Sequence, residues 1–135
     1  KNKKLELLVT ENDLNYDDKS IVKRKLSDQN SLIRDIMSAR ICLLPGHKAE
    51  LFCLAAEEAK ELCLPIVTLG IGSLSERVDH GVTGFIANNE HEFATYTLKL
   101  FSDDNLWFKL RTNLIKKRKT NTWKKVAKEL INQLI

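Results

Sequence analysis

Two acids eight positions apart, Glu50 and Glu58, are where this sequence could do chemistry. A carboxylate accepts hydrogen bonds from hydroxyl groups, and it is costly in apolar surroundings unless something pairs with it. On a helix over Leu51–Cys63 at 3.6 residues per turn, Leu51, Leu54, Ala55, Ala59 and Leu62 gather on one face. Glu58 lies inside that apolar arc, whereas Glu57, Lys60 and Glu61 fall on the opposite side. The pattern predicts that Glu58 points inward. Either a neighbour pairs with it, or it faces a cleft and binds a ligand rich in hydroxyls. Glu50 opens the same helix. It is either a ligand contact or an acid suited to a helix N-terminus on its own account.

His47 and Lys48 precede Glu50. They either reach a phosphate or form an exposed loop pair. Other chemistries lack their residues. His80 and His91 have no partners at catalytic spacing and read as surface residues. Ser75 has no histidine and aspartate in a triad-like setting, which argues against a hydrolase. No Asp, Glu and His cluster has metal-ligand spacing. The cysteines number 3 (Cys42, Cys53 and Cys63), an odd count without a Cys-x-x-Cys pair. That excludes a disulfide framework or zinc site as the first reading, and a reducing cytoplasm fits.

The elements that must hold these residues alternate between strand and helix. Lys4–Thr10 reads as a strand, residues 11–20 as a polar loop, and Ile21–Leu26 as a short strand. Ser27 and Asp28 are N-cap types before a helix carrying Leu32, Ile33, Ile36 and Met37. Ile41–Leu44 is an apolar run ended by Pro45-Gly46, as in a buried parallel strand. After the central helix, Pro65 leads into a strand over Ile66–Leu69, and Gly70 and Gly72 make a turn. Ser73 and Glu76 have capping-box spacing around a short helix that stops near Gly81. Gly84 turns into Phe85–Ala87. Three further helices are predicted. Glu90–Phe101 points Phe93, Leu98 and Phe101 inward. Ser102 caps a helix bearing Leu106, Phe108, Leu110 and Leu114. Thr120 or Thr122 caps a last one with Trp123, Val126, Ala127, Leu130 and Leu134.

Such alternation predicts an α/β fold with a parallel sheet and right-handed crossovers. Ligands of these sheets bind beyond the carboxyl ends of the strands. Those ends are Pro45–Glu50 and Gly70–Ser75. Both lead into helix N-termini, whose N–H groups and dipole favour phosphate.

With 135 residues, 43% hydrophobic and 30% charged, the chain suits one globular domain over residues 1–135. No apolar run approaches the length of a transmembrane helix. The start, Lys1–Lys4 followed by a short apolar run, is not a signal peptide and reads as a strand entered mid-protein. The formal charge of +4 is uneven. Acids such as Glu11, Asp13, Asp17 and Asp18 come early, and from Lys109 to Lys128 every charge is basic. Lys116, Lys117, Arg118 and Lys119 are either a solvated helix end or an attraction to anionic lipid. Nucleic acid is the weaker reading, without an aromatic platform or a reading helix.

Glu50, seven residues, Glu58-Ala59, Leu64-Pro65-Ile66-Val67-Thr68, a glycine loop ending in Glu76, then Asp79-His80-Gly81-Val82-Thr83-Gly84-Phe85: this order resembles the C-terminal half of retaining GT-B glycosyltransferases, family 4 or glycosyl transferases group 1. The likeness runs from about Ser27 to Leu130, where residues 120–135 resemble the family's closing helix. It implies a Rossmann-like, three-layer α/β/α half of a GT-B fold that binds a nucleotide diphosphate sugar, UDP- or GDP-linked, as substrate, with no cofactor and no metal. Glu50 matches the catalytic acid near the donor sugar. Glu58 matches the acid that holds the ribose hydroxyls. Phe52, Cys53 and Leu54 would offer backbone N–H groups, and Gly72, Ser73, Leu74 and Ser75 would sit close by. The family usually has glycine where Cys53 and Cys63 stand, and a glycine pair at Gly72-Ser73. The whole enzyme would move a hexose to a glycan or lipid-linked acceptor. The acceptor-binding N-terminal domain is missing, so the chain alone is expected to be inactive. A cytoplasmic location, peripheral to the inner face of a membrane, would follow. The competing reading is a non-catalytic Rossmann-like binding or assembly module.

Overall fold

The computed structural model describes residues 5–10, 15, 17–25, 28–118 and 122–134. The chain divides into two compact units, residues 1–38 and 39–135.

The first unit holds β1 (Leu7–Thr10), β2 (Ile21–Arg24) and α1 (Gln29–Ser38). The strands pair in parallel, with Leu7 opposite Ile21. Asp18 shapes the turn into β2, its Oδ1 accepting from the Ser20 N–H (2.8 Å) and hydroxyl (2.7 Å). Asp28 caps α1 as predicted, accepting from the Ser31 N–H (3.0 Å) and hydroxyl (2.8 Å). Those serine bonds hold both carboxyls below the usual range. An ion pair between Arg24 and Asp35 ties β2 to α1. Ser27, Glu11 and Asp13 lie outside the described residues.

The second unit runs β3 (Cys42–Gly46), α2 (Leu54–Glu61), β4 (Ile66–Ile71), α3 (Leu74–Arg77), β5 (Gly84–Ile86), α4 (Glu90–Ser102), α5 (Asp104–Arg118) and α6 (Trp123–Leu134). Its sheet is parallel, in the order β3-β4-β5. The central strand carries the burial: Ile66, Val67 and Thr68 are all within 1% of full burial. The fold is therefore α/β with parallel sheets and helices between the strands, as the alternation predicted. The core gathers Val67, Phe85, Leu100 and Leu110, with Phe93, Tyr96 and Leu106 against them. Each large side chain sequestered this way contributes about 1.5–3 kcal/mol.

Two inward predictions fail on helical phase. Leu98 and Phe108 are exposed. The stripe of α4 runs through Phe93, Tyr96 and Leu100, and that of α5 through Trp107, Leu110 and Leu114, at spacings of three, four or seven. Leu98 and Phe108 fall off those stripes. The caps also shift by one. Asp103, not Ser102, caps α5 by accepting from the Leu106 N–H at 3.0 Å, while the Ser102 hydroxyl turns back onto the Leu98 carbonyl at 2.8 Å. Asn89 caps α4 through the Glu92 N–H at 2.9 Å, and Glu92 reaches back to the Asn88 N–H at 2.9 Å. Thr122 caps α6 through the Lys125 N–H at 3.3 Å. Thr120 lies outside the described residues, as do the side chains of Trp123 and Leu134. The described side chains of α6, Val126 and Leu130 among them, are exposed. Among the described residues no helix is long and apolar enough to cross a membrane.

Candidate functional site

β3 and β4 are parallel neighbours, so the loops at their carboxyl ends leave the sheet side by side. They are joined. The Ser73 N–H donates to the Glu50 carbonyl at 3.0 Å. Gly72 permits the crossing. Its φ is +67°, and a Cβ there would lie 2.5 Å from the His47 carbonyl oxygen and 2.8 Å from that of Glu50. Within the first loop, the Glu50 N–H donates to the His47 carbonyl (2.9 Å) and the Ala49 N–H to His47 Nδ1 (3.1 Å). His47 and Lys48 are otherwise exposed.

Glu50 is half-buried, and its Oε1 accepts the Cys53 N–H at 2.9 Å. Cys53 is the N-cap of α2 in the left-handed conformation, with φ 57° and ψ 76°. Cys63, just past the other end of the helix, has φ 56°. There the Cys63 N–H donates to the Lys60 carbonyl (2.9 Å) and the Leu64 N–H to that of Ala59 (2.8 Å), a Schellman closure that ordinarily carries glycine. Thus both cysteines stand where the backbone calls for glycine. The first two N–H groups of α2, those of Leu54 and Ala55, have no protein acceptor among the described residues. They form the positive end of the helix. Ala49–Ala55 line an open concavity of about 560 Å³. Leu51 is 89% exposed, Leu54 70% and Phe52 50%.

Glu58 corrects the sequence reading. The helix starts at Leu54 rather than Leu51 and packs through Ala56 and Ala59, both fully buried. Of the predicted core arc, Ala59 is buried and Leu62 half-buried, but Leu51, Leu54 and Ala55 are exposed, and Glu58 with them. Alanines face inward because the helix lies close to its neighbours. Of the charges predicted to be solvated, Glu61 is exposed, whereas Glu57 and Lys60 are half-buried and paired: Glu57 Oε1 meets Lys60 Nζ at 2.9 Å and Arg77 at 3.5 Å. Glu61 lies 3.7 Å from Arg118. Glu58 alone of the three acids of α2 enters no ion pair among the described residues.

The glycine loop meets its predictions unevenly. Ser73 makes no capping box. It is helical in φ and ψ, and its hydroxyl is buried with no partner among the described residues. Leu74 is 1% exposed and packs inward, so its side chain is core and only its backbone borders the loop. Ser75 is exposed, and its hydroxyl lies 3.4 Å from the Gly72 carbonyl. α3 ends at Arg77, short of Gly81. One turn gives little dipole, so α2 is the helix end that matters for an anion. His80 is exposed, as predicted, and is also held in place. Its ring stands edge-on to Phe85 and Tyr96, and its Nδ1 sits 3.0 Å from the Ile86 carbonyl and 3.2 Å from the Ile86 N–H. In the basic stretch Lys117 pairs with Asp79 and Arg118 with Glu61, Lys116 is exposed, and Lys119 lies outside the described residues.

Sequence reasoning passed over Arg77. Its Nε donates to the Phe52 carbonyl at 3.1 Å, and its guanidinium lies 4.3 Å from the centre of the Phe52 ring. No spacing rule points from Arg77 back to Phe52, because the contact exists only once β3 and β4 are paired.

A family model described as Glycosyl transferases group 1 matches residues 1–121, across both units. No curated protein matches the chain.

Proposed function

Because the chain belongs to the glycosyl transferases group 1 family, we propose that it is the Rossmann-like half of a retaining GT-B hexosyltransferase that binds the nucleotide diphosphate sugar. The observation that carries this reading is the state of Glu58. Its neighbours on α2 are neutralised by Lys60, Arg77 and Arg118, yet Glu58 stands exposed one turn beyond Leu54. A carboxylate kept unpaired beside an apolar lip suits two vicinal ribose hydroxyls, which it can accept from together. The free N–H groups of Leu54 and Ala55 would take the diphosphate. His47 and Lys48 would add positive charge in the preceding loop. Glu50 would lie near the sugar, and Phe52, Cys53, Leu54 and the Gly72–Ser75 loop would enclose it. Donors aimed at the leaving diphosphate would lower the barrier to breaking the glycosidic bond.

In this reading both units serve one donor-binding domain, residues 120–135 close it, and an acceptor-binding domain outside this chain completes the enzyme. The acceptor is a glycan or a lipid-linked saccharide at the cytoplasmic face of a membrane. Lys116 and Lys119 would then meet anionic headgroups. A second reading, a binding module without transfer, draws on Cys53. A side chain where the family usually carries glycine narrows the approach to the loop.

Amide NMR titration with UDP, GDP and ADP tests the proposal. Shifts confined to Ala49–Ala55 and Gly70–Glu76, weakened in Glu58→Gln without change in melting temperature, support it and name the base. Shifts elsewhere, or a Glu58→Gln variant that binds as wild type, refute the assignment.

A further inference from the structure

We propose that Arg77 is a positioning residue: with Glu50 it clamps the Phe52–Cys53 peptide plane in the orientation that a nucleotide diphosphate sugar requires. The proposal rests on the donor-site reading above. The two ends of one peptide are held by two different side chains. The Phe52 carbonyl accepts from Arg77 Nε at 3.1 Å, and the Cys53 N–H donates to Glu50 Oε1 at 2.9 Å. Arg77 is itself fixed, by Glu57 Oε1 at 3.5 Å and by the Phe52 ring 4.3 Å from its guanidinium carbon.

What the clamp opposes is written in the backbone. Cys53 has φ 57°, a conformation that disfavours any residue with a Cβ. Turning the Phe52–Cys53 peptide over by about half a revolution would carry that φ into the broad extended region, which cysteine adopts freely. The same rotation would point the Phe52 carbonyl away from Arg77 and withdraw the Cys53 N–H from Glu50. It would also re-aim the peptide that leads into the free N–H groups of Leu54 and Ala55. Glycine at this position would need no clamp. Cysteine does, and the carboxylate and guanidinium supply it from both sides.

The loop therefore has two states, and Arg77 biases it to the left-handed one. When only a fraction of molecules is competent, apparent affinity falls by that fraction. Arg77→Ala is expected to weaken nucleotide binding about tenfold, the order of the left-handed penalty it no longer offsets. Arg77→Lys keeps the charge but not the fork and is expected to recover only part of the loss. Arg77→Ala combined with Cys53→Gly is expected to recover most of it, because glycine accepts the left-handed state.

The test uses the 135-residue chain with two readouts. In the ligand-free protein, Cys53 Cα and Cβ chemical shifts report the left-handed state. They are expected to move toward extended values in Arg77→Ala, with the core amides unchanged. Titration with UDP, GDP and ADP then gives affinities, measured well below each melting temperature so that a general loss of stability does not count. Cys53 shifts that stay at wild-type values in Arg77→Ala overturn the proposal. So does wild-type affinity in that variant, or failure of Cys53→Gly to restore binding. If wild type binds none of the three nucleotides, the donor-site reading falls and the positioning role with it. The Cys53 shifts still show in that case whether Arg77 holds the peptide.

Discussion

Replacing Gly72 by alanine should cost far more than its modest chemistry suggests, and the excess measures the junction on which the candidate site depends. Gly81 supplies the reference. Its φ is +73°, close to the +67° of Gly72, but a Cβ at Gly81 would meet nothing within 4 Å. Gly81→Ala therefore carries only the left-handed penalty of about 1–2 kcal/mol, less about 0.4–1 kcal/mol regained from a stiffer unfolded chain. The net cost is about 1 kcal/mol. At Gly72 the new methyl lands 2.5 Å from the His47 carbonyl oxygen and 2.8 Å from that of Glu50. These are backbone atoms, so the loops must separate. Separation breaks the Ser73–Glu50 hydrogen bond, worth about 1 kcal/mol, and repacking adds about 1–3 kcal/mol. With the left-handed penalty included, the total is about 3–5 kcal/mol. For a chain of this length that lowers the melting temperature by roughly 10–20 °C, against a few degrees for Gly81→Ala. Differential scanning calorimetry on the two variants gives the comparison. Equal shifts would mean that the two loops do not touch at Gly72, and the shared edge of the proposed donor site would fall with them.

At Cys63, and likewise at Cys53, the glycine variant should be more stable than the alanine variant by about 1 kcal/mol, the reverse of the order inside a helix; chemical denaturation measures it. Glu50→Ala should destabilise the chain by about 1 kcal/mol through loss of the acceptor for the Cys53 N–H, whereas Glu50→Gln keeps an acceptor and most of that stability while losing the charge. The Cys42 thiol is pushed up to about 11 by burial. Its alkylation rate, followed by peptide mass spectrometry, should keep rising with pH to about 11 instead of levelling near 9. Since the folded state holds that proton where the unfolded chain has lost it, stability should fall between pH 9 and 11 and be unaffected by this group below 9.

Much of the architecture was legible because its signals are local. Pro65 precedes β4, and the apolar runs before Pro45-Gly46 and Gly70 are strands of a parallel sheet, although β3 continues through Gly46 and β4 through Ile71, two residues beyond the predicted ends. Asp28 and Thr122 cap the helices that their types announced. What could not be read is what depends on contacts between elements. Ser73 and Glu76 have capping-box spacing, but Ser73 is drawn into helical geometry when its N–H is taken by Glu50 from the neighbouring loop. The tie from Arg77 to Phe52 crosses 25 residues. Leu98 and Phe108 were misplaced because apolar residues occur on both sides of α4 and α5, and only packing selects a stripe.

The central helix shows why the remaining error falls at the candidate site. Pattern reading assigns the face with the larger apolar side chains to the core. On α2 the buried residues are Ala56 and Ala59, of which the pattern anticipates Ala59 alone, because a helix set close to its neighbours has room only for methyls. Leu51, Leu54 and Ala55 are left on the outside with Glu58. An isolated chain gains nothing by exposing two leucines and an unpaired carboxylate together, since the acid could be exchanged for a pairing residue and the leucines for polar ones at little cost to the fold. Such a surface is retained when something outside the chain uses it. In the proposed donor site the apolar lip would exclude water from the ligand, and the carboxylate would supply the polar contact that orients it. The expectation of an inward-facing Glu58 and its proposed role as a ligand contact thus share one source: the large apolar side chains that pattern reading sends to the core are the ones that stand outside beside it.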